Sequence, residues 1–163
     1  IGPVVSETQL AANLDYMDIA RKEGGEVLCG GGRLTLAHDG YYMAPAVIAG
    51  TGNGWRINRE EMFAPIACVI RAGSYDEALA ISNDTDFGLT AGIMTTSLAR
   101  AGDFRRRAET GVVMVNLPTA GTDYHVPFGG RGDSSYGPRE QGQYAVEFFT
   151  STKTAYISTG PAS

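Results

Sequence analysis

Cysteines and long apolar runs are both scarce in this 163-residue sequence. Cys29 and Cys68 are too few for a disulfide framework, and no Cys/His cluster has the spacing of a zinc site, so we expect no metal. They fit either one disulfide or two lone buried thiols, and we adopt the second interpretation, which fits a reducing compartment such as the cytoplasm. No apolar run approaches the ~20 residues that span a bilayer, and no signal-peptide pattern is present. We therefore expect no membrane partner.

Charged residues are also few, at 19% of the chain, and acidic residues exceed basic ones. Thirteen Lys and Arg against eighteen Asp and Glu give a formal charge of −5, which argues against a nucleic-acid partner. The hydrophobic fraction of 43% is sufficient for a packed core, and the length suits one domain of ordinary size. The 22 glycines and 7 prolines indicate many turns.

The first part of the chain predicts a helix and then two strands. Ser6 and Gln9 have the spacing of a capping box, and the apolar residues that follow predict a helix ending at Gly24. The strand-like segments are residues 26–28 and 41–48. Three consecutive glycines lie between them, but no Lys-Ser/Thr pair follows these glycines. We therefore interpret them as a hairpin or loop and not as a phosphate-binding loop.

The middle of the chain alternates between strand and helix patterns. Three apolar runs predict buried strands, at residues 66–70, 91–94 and 112–115. Ser74 and Glu77 cap a helix after the first run, and Ser97 starts a helix after the second, with Gly111 just beyond its C-terminus. This order, with short connections, predicts an α/β fold in which helices flank a parallel sheet.

The last part of the chain begins with a long loop, residues 117–138, that is rich in Gly, Tyr, His, Phe and Pro. Loops of this length are uncommon inside a compact domain and are often functional. Pro138 then predicts the start of a helix over residues 139–149. Residues 153–157 are strand-like, and a loose tail follows them.

Three groups of ionisable residues are candidates for chemistry. Glu60 and Glu61 precede a strand, where a carboxylate either accepts hydrogen bonds from ribose hydroxyls or forms a solvated acidic turn. Glu140 lies in the first turn of the predicted helix. Its carboxylate is there either a general base that acts through water or a charge that complements the helix dipole. The residues alone leave both choices open. The third group has the composition of a catalytic triad but no nucleophile elbow: Ser134, His125 and Asp123.

Five segments, in the same order, resemble the C-terminal part of an NAD(P)-dependent aldehyde dehydrogenase. Residues 60–65 resemble the family's Glu-x-Phe-Gly-Pro segment, and residues 83–92 resemble its Asn-x-x-x-Tyr/Phe-Gly-Leu-x-Ala/Gly segment. The other three are residues 111–116, 127–130 and 139–142. Residues 118–128 and 134–142 are also similar to the 2-oxoglutarate semialdehyde (2,5-dioxopentanoate) dehydrogenases, which implies that aldehyde as a substrate.

The resemblance implies a role for several residues. Glu61 matches the carboxylate that binds the nicotinamide ribose of NAD or NADP, and Phe63 matches the aromatic beside the nicotinamide. Phe128 matches a residue that lines the substrate tunnel, and Glu140 matches a carboxylate on the water route to the thioester. Residues 153–157 match the strand that joins subunits into a homo-oligomer.

The resemblance also implies a domain division and a mechanism. Residues 1–150 correspond to the C-terminal portion of the catalytic, thiolate-bearing domain, and residues 151–163 to the terminal oligomerisation strand and tail. In such an enzyme a thiolate attacks an aldehyde, a hydride passes to NAD(P)+, and water releases a carboxylate.

The sequence departs from the family pattern in several places. Ala64 replaces a glycine, which makes a positive φ harder to adopt there, and Gly132-Asp133 stands where a lysine is usual. The nucleophilic cysteine, the main catalytic glutamate, the oxyanion asparagine and the nucleotide-binding glycine motif all belong to a part of the family upstream of this segment. We therefore expect the segment alone to be inactive. The alternative is a non-catalytic assembly or subunit-binding module of the same fold.

Overall fold

A computed structural model describes residues 1–158 and 160. The chain divides into two compact units, Ile1–Thr85 and Asp86–Ser163. The α/β fold class is confirmed, with strands and helices in both units. Among the described residues, no helix combines the length and apolar character needed to cross a bilayer.

The first unit is built on a long helix and a three-stranded sheet. Its elements are α1 (Glu7–Lys22), β1 (Glu26–Cys29), β2 (Arg33–Leu34), β3 (Tyr42–Met43), β4 (Ala46–Ala49), α2 (Arg56–Arg59), β5 (Ile66–Cys68) and α3 (Tyr75–Asn83). The sheet has the order β1-β4-β5, with β1 antiparallel and β5 parallel to β4. A separate antiparallel pair joins β2 to β3. The core forms where α1 covers the sheet, through Leu10, Met17, Ala20, Met43, Ala46, Ile48 and Ile57.

The helix caps of the first unit are confirmed. The Ser6 hydroxyl accepts a hydrogen bond from the Gln9 N–H, and the Ser74 hydroxyl accepts one from the Glu77 N–H, both at 3.1 Å. These contacts satisfy amide groups that have no partner inside the helix. The chain leaves α1 through Gly24 at φ +99°, as expected for a glycine after a helix C-terminus.

Two strand predictions in the first unit are wrong in detail. The strand-like segment 41–48 is broken into β3 and β4, with Pro45 between them, because proline has no N–H for a sheet ladder. The run 66–70 is paired only over β5, and Ala67 within it is exposed, so this strand is not buried on both faces. The three glycines do form a loop. Gly30 and Gly31 have positive φ, and a Cβ on Gly30 would lie 1.7 Å from the Pro45 carbonyl oxygen.

The second unit holds β6 (Thr90–Ile93), α4 (Leu98–Arg107), β7 (Val112–Val115), a 3-10 helix (Gly142–Tyr144) and α5 (Ala145–Phe149). Strands β6 and β7 are parallel, as predicted, with α4 as their crossover. The Ser97 hydroxyl accepts from the Arg100 N–H at 3.3 Å, which confirms the predicted cap. In the part of the chain that the structure describes, β6 and β7 make up the two-stranded sheet of this unit, and the first apolar run pairs with β4 in the first unit.

Four predictions for the second unit are corrected. Helix α4 ends at Arg107, so Gly111 does not directly follow its C-terminus. Gly111 is instead close to another segment, because a Cβ on it would lie 1.7 Å from the Gly129 carbonyl oxygen. Strands β6 and β7 are half-buried, not buried. The helix predicted from residue 139 begins only at the 3-10 turn, because Gln141 has a φ of +65°. Residues 153–157 form no strand in the described part of the chain.

Candidate functional site

The segment that carries Glu60 and Glu61 leaves α2 in an extended conformation and is fastened to α1. Glu60 has φ −103° and ψ 148°. Its Oε2 accepts a hydrogen bond from the Tyr16 hydroxyl at 2.7 Å, and its Oε1 accepts one from Arg56 Nε at 2.7 Å. These bonds, from Arg56 first and then Tyr16, lower the pKa of the Glu60 carboxyl, and the same carboxylate raises the pKa of Tyr16. Both oxygens of the Glu60 carboxylate are therefore already hydrogen-bonded within the chain.

Glu61 differs from its neighbour, although the two residues are chemically identical. Both side chains are exposed, but the Glu61 carboxylate accepts no hydrogen bond from any other described residue. Both of its carboxylate oxygens remain available to an external donor such as a ribose diol.

Phe63 is the most unusual residue of this segment. Its ring is 78% exposed and its φ is +50°, a left-handed conformation that is rare for a bulky side chain. Ala64 does not have a positive φ. The left-handed conformation that we expected to be difficult at position 64 is adopted by Phe63 instead. Beside the ring lies a largely apolar pocket of about 570 Å³, whose lining includes Val4, Gln9 and Pro65.

Phe128 and Glu140 lie side by side in the second unit. The Phe128 N–H donates to the Glu140 carbonyl and the Glu140 N–H donates to the Phe128 carbonyl, both at 2.8 Å. Glu140 is thus in a bridge between two extended segments and not in a helix, so the helix-dipole interpretation of its carboxylate is wrong. The adjacent Arg139 guanidinium donates to the Gly130 carbonyl, which fixes the turn that follows Phe128.

The other polar residues of the long loop are used in local contacts. His125 Nδ1 lies 2.8 Å from Asp123 Oδ1, and both side chains are largely exposed. Ser134 accepts a hydrogen bond from the Gly88 N–H at 3.0 Å. Gly132, at φ +54°, occupies the position expected for a lysine, and a Cβ there would lie 2.2 Å from the Asp86 carbonyl oxygen. A side chain at this position would therefore require the loop to move.

The two cysteines are free thiols, as predicted, but they are not equally buried. Cys29 is exposed, which corrects the expectation that both are buried. Cys68 is half-buried, and desolvation raises the pKa of its thiol. No group of three His, Cys, Asp or Glu side chains among the described residues has the arrangement of a metal site.

Two residues that matter for the geometry carried no recognisable signal in the sequence. Arg56 holds Glu60 from one turn of helix earlier, and Tyr16 reaches Glu60 from 44 residues away. A third, Asn116, had a signal that could have been used, because asparagine after a strand tolerates a positive φ. Its φ is +56°, and its side chain bonds to both the N–H and the carbonyl of Thr95, at 2.8 and 2.9 Å.

Sequence comparison decides the family. Residues 1–155 match the aldehyde dehydrogenase family. The chain belongs to this family. It is 42% identical over 161 residues to the alpha-ketoglutarate semialdehyde dehydrogenase of Haloferax volcanii, covering 97% of this chain and 33% of that protein. It is 38% identical to the alpha-ketoglutaric semialdehyde dehydrogenase of Bacillus subtilis, covering 96% of this chain and 33% of that protein. The chain thus spans about a third of the length of these aldehyde dehydrogenases.

Solved aldehyde dehydrogenase structures agree with this assignment. An aldehyde dehydrogenase of Mycobacterium tuberculosis complexed with NAD+ superposes with a TM-score of 0.89 and 32% identity, over 100% of this chain and 33% of that one. A putative aldehyde dehydrogenase of Burkholderia cenocepacia gives a TM-score of 0.86 and 38% identity, over 93% of this chain and 31% of that one. The fold is therefore a portion of the aldehyde dehydrogenase fold.

Proposed function

We propose that this chain supplies part of the cofactor and substrate site of an NAD(P)-dependent aldehyde dehydrogenase. The observation that carries the proposal is the contrast between the two neighbouring carboxylates. Both side chains are exposed, but the Glu60 carboxylate is held by Tyr16 and Arg56, whereas both oxygens of Glu61 are available. Two residues further on, Phe63 presents an exposed ring beside an apolar pocket.

The residues of the first unit fit a nicotinamide nucleotide. A carboxylate can accept two hydrogen bonds from the two hydroxyls of a ribose, and an exposed aromatic ring offers a face for a planar heterocycle. We assign these roles to Glu61 and Phe63, in agreement with the positions that they match in the family. The bound cofactor would accept the hydride that leaves the substrate. The role of Glu61 and Phe63 is to orient it.

The second unit supplies the substrate-facing residues of this proposal. Phe128 shapes the substrate tunnel, and its reciprocal backbone bonds to Glu140 hold the two residues in a fixed register. The Glu140 side chain is exposed, so its carboxylate is within reach of water. We assign Glu140 to the water route along which the product carboxylate is released.

The named relatives suggest the substrate. The relatives from Haloferax volcanii and Bacillus subtilis are semialdehyde dehydrogenases, so we propose 2-oxoglutarate semialdehyde as the first aldehyde to test. We also propose that residues 151–158 contribute to a homo-oligomer. Tyr156 and Ile157 are 97% and 89% exposed there, and such apolar side chains are typical of a surface that another chain covers.

The test follows NAD(P)H absorbance with 2-oxoglutarate semialdehyde and either NAD+ or NADP+. We expect turnover from the protein that carries these residues together with a nucleophilic cysteine, and none from the 163-residue chain alone. Glu61→Gln should raise the KM for the cofactor about tenfold, which corresponds to ~1.4 kcal/mol. Glu26→Gln, a change to another exposed glutamate, is the matched control. An unchanged cofactor KM in Glu61→Gln would reject the assignment of the ribose-binding carboxylate.

Denatured mass and light scattering test the alternative, a free assembly module. A monodisperse 163-residue chain that unfolds cooperatively would favour the module. Aggregation of the 163-residue chain that persists when Tyr156 and Ile157 are replaced would favour a part of a larger enzyme.

A further inference from the structure

Two amide side chains of α1, Gln9 and Asn13, form a hydrogen-bonded pair. They are four residues apart and so lie on the same face of the helix. Asn13 is completely buried, next to the core residues Leu10 and Met17. A polar side chain in such a place is costly unless it is fully hydrogen-bonded. Asn13 is not: its Nδ2 has no hydrogen-bond partner among the described residues.

The hydrogen bonds that Gln9 makes account for the unsatisfied Asn13 amino group. Gln9 Nε2 donates to Asn13 Oδ1 at 2.7 Å and to the Met62 carbonyl at 3.2 Å, so both of its hydrogens are used. The Met62 carbonyl can only accept, and it therefore requires the amino group of Gln9 on its side. Gln9 in turn requires the oxygen of Asn13. The Asn13 amino group is consequently directed away from Gln9. Its unsatisfied hydrogen-bonding capacity is the energetic cost of holding the Met62 carbonyl.

The Met62 carbonyl belongs to the peptide bond that precedes Phe63. Because a peptide group is planar, its orientation determines the φ of the next residue. Rotation of the Met62–Phe63 peptide plane would take Phe63 from φ +50° into the extended region, which bulky side chains prefer. That rotation would also remove the Met62 carbonyl from Gln9. The hydrogen bond from Gln9 therefore opposes the motion that would relax Phe63.

We propose that Asn13, acting through Gln9, is a positioning residue that locks the Met62–Phe63 peptide and so presents the ring of Phe63. The lock rests on contacts within the first unit only. Its use in cofactor binding rests on the function proposed above. On this proposal, α1 supplies two separate fastenings to the segment that carries Glu61. Tyr16 holds the side chain of Glu60, and Gln9 holds the backbone just before Phe63.

The test observes the Phe63 amide in the full chain without any ligand. Met62–Phe63 is the only Met-Phe pair in the sequence, so a chain labelled with 13C-carbonyl methionine and 15N phenylalanine gives a single carbonyl–amide NMR cross-peak. Gln9→Met removes the donor and keeps the length of the side chain. Asn13→Leu removes the acceptor and the unpaired amino group while nearly keeping the shape. Asp18→Asn, at an exposed position of α1, is the control.

We expect the Phe63 cross-peak to move or to split in Gln9→Met and in Asn13→Leu and to stay in place in Asp18→Asn. Asn13→Leu should also melt no lower than the wild-type chain, because it removes a buried polar group that has an unsatisfied donor. An unmoved cross-peak in both variants would overturn the proposal. An Asn13→Leu chain that melts lower with its cross-peak unmoved would assign Asn13 to core packing alone. If Asn13→Leu does not fold, Gln9→Met decides, because Gln9 is only half-buried.

This outcome is independent of the proposed function, because the measurement uses no cofactor. A cross-peak that moves, in a protein that does not bind NAD+ or NADP+, supports the lock and rejects the cofactor site. An unmoved cross-peak, in a protein whose cofactor KM responds to Glu61→Gln, rejects the lock and supports the cofactor site.

Discussion

The strained backbone at Phe63 predicts an unusual order of stabilities for two substitutions. Phe63→Ala removes the ring but keeps the Cβ, so alanine must adopt the left-handed conformation at a cost of about 1–2 kcal/mol. Phe63→Gly removes the ring and the strain, but glycine loses about 0.5–1 kcal/mol through the entropy of the unfolded chain. Since both variants lose the same exposed ring, the glycine variant should be more stable than the alanine variant by about 0.5–1 kcal/mol.

Urea denaturation of the full chain measures this difference, provided that the slope of unfolding free energy against urea is the same in both variants. The matched control is Ala64→Gly at the adjacent position, which has no positive φ. There the entropy of glycine acts alone, and the variant should lose about 0.5–1 kcal/mol. If Phe63→Gly is instead less stable than Phe63→Ala, Phe63 does not occupy the left-handed region in solution.

Three further predictions concern other positions. Gly111→Ala should lower the free energy of unfolding by about 3 kcal/mol or more in urea denaturation, because its Cβ would lie 1.7 Å from the Gly129 carbonyl oxygen; a small loss would contradict that close approach. Gly102→Ala, inside α4, should raise the thermal midpoint, since alanine favours the helix by about 1 kcal/mol and its Cβ meets only the end of a flexible side chain; a lower midpoint would contradict this. Glu60 raises the pKa of Tyr16 above 10.0, so the stability from this bond is present below pH 10 and is lost as the pH rises through the folded-state pKa. In an NMR titration that resolves the Tyr16 ring, Glu60→Gln should return the Tyr16 pKa towards 10.0, and an unchanged titration would show that the bond is not formed in solution.

The sequence predicted the elements whose formation depends on local chemistry. Ser6, Ser74 and Ser97 each cap the helix that follows, because a hydroxyl needs only the amide three residues later. Partners that are distant in the chain were not predictable in the same way. Gly111 was interpreted as part of a helix end, whereas the contact that requires a glycine there comes from the carbonyl of Gly129.

The candidate site also combines residues that the sequence singled out with long-range contacts that it did not reveal. Glu61 and Phe63 could be singled out from their resemblance to a family motif, and Phe128 and Glu140 likewise. The helix predicted around Glu140 was wrong, because its backbone pairs with Phe128, twelve residues earlier, before the chain turns at Gln141. The different environments of Glu60 and Glu61 were also beyond the sequence, since Tyr16 and Glu60 are 44 residues apart.

The segment from Glu60 to Met62 is fastened to α1 at two points, because Tyr16 holds the Glu60 side chain and Gln9 holds the Met62 carbonyl. Exposed loops usually accept insertions and deletions readily. Here a residue gained or lost between Glu60 and Met62 would change the length of chain that joins the two contacts with α1, so both could no longer form with their present geometry. This short segment should therefore tolerate substitutions at single positions far better than a change of one residue in its length.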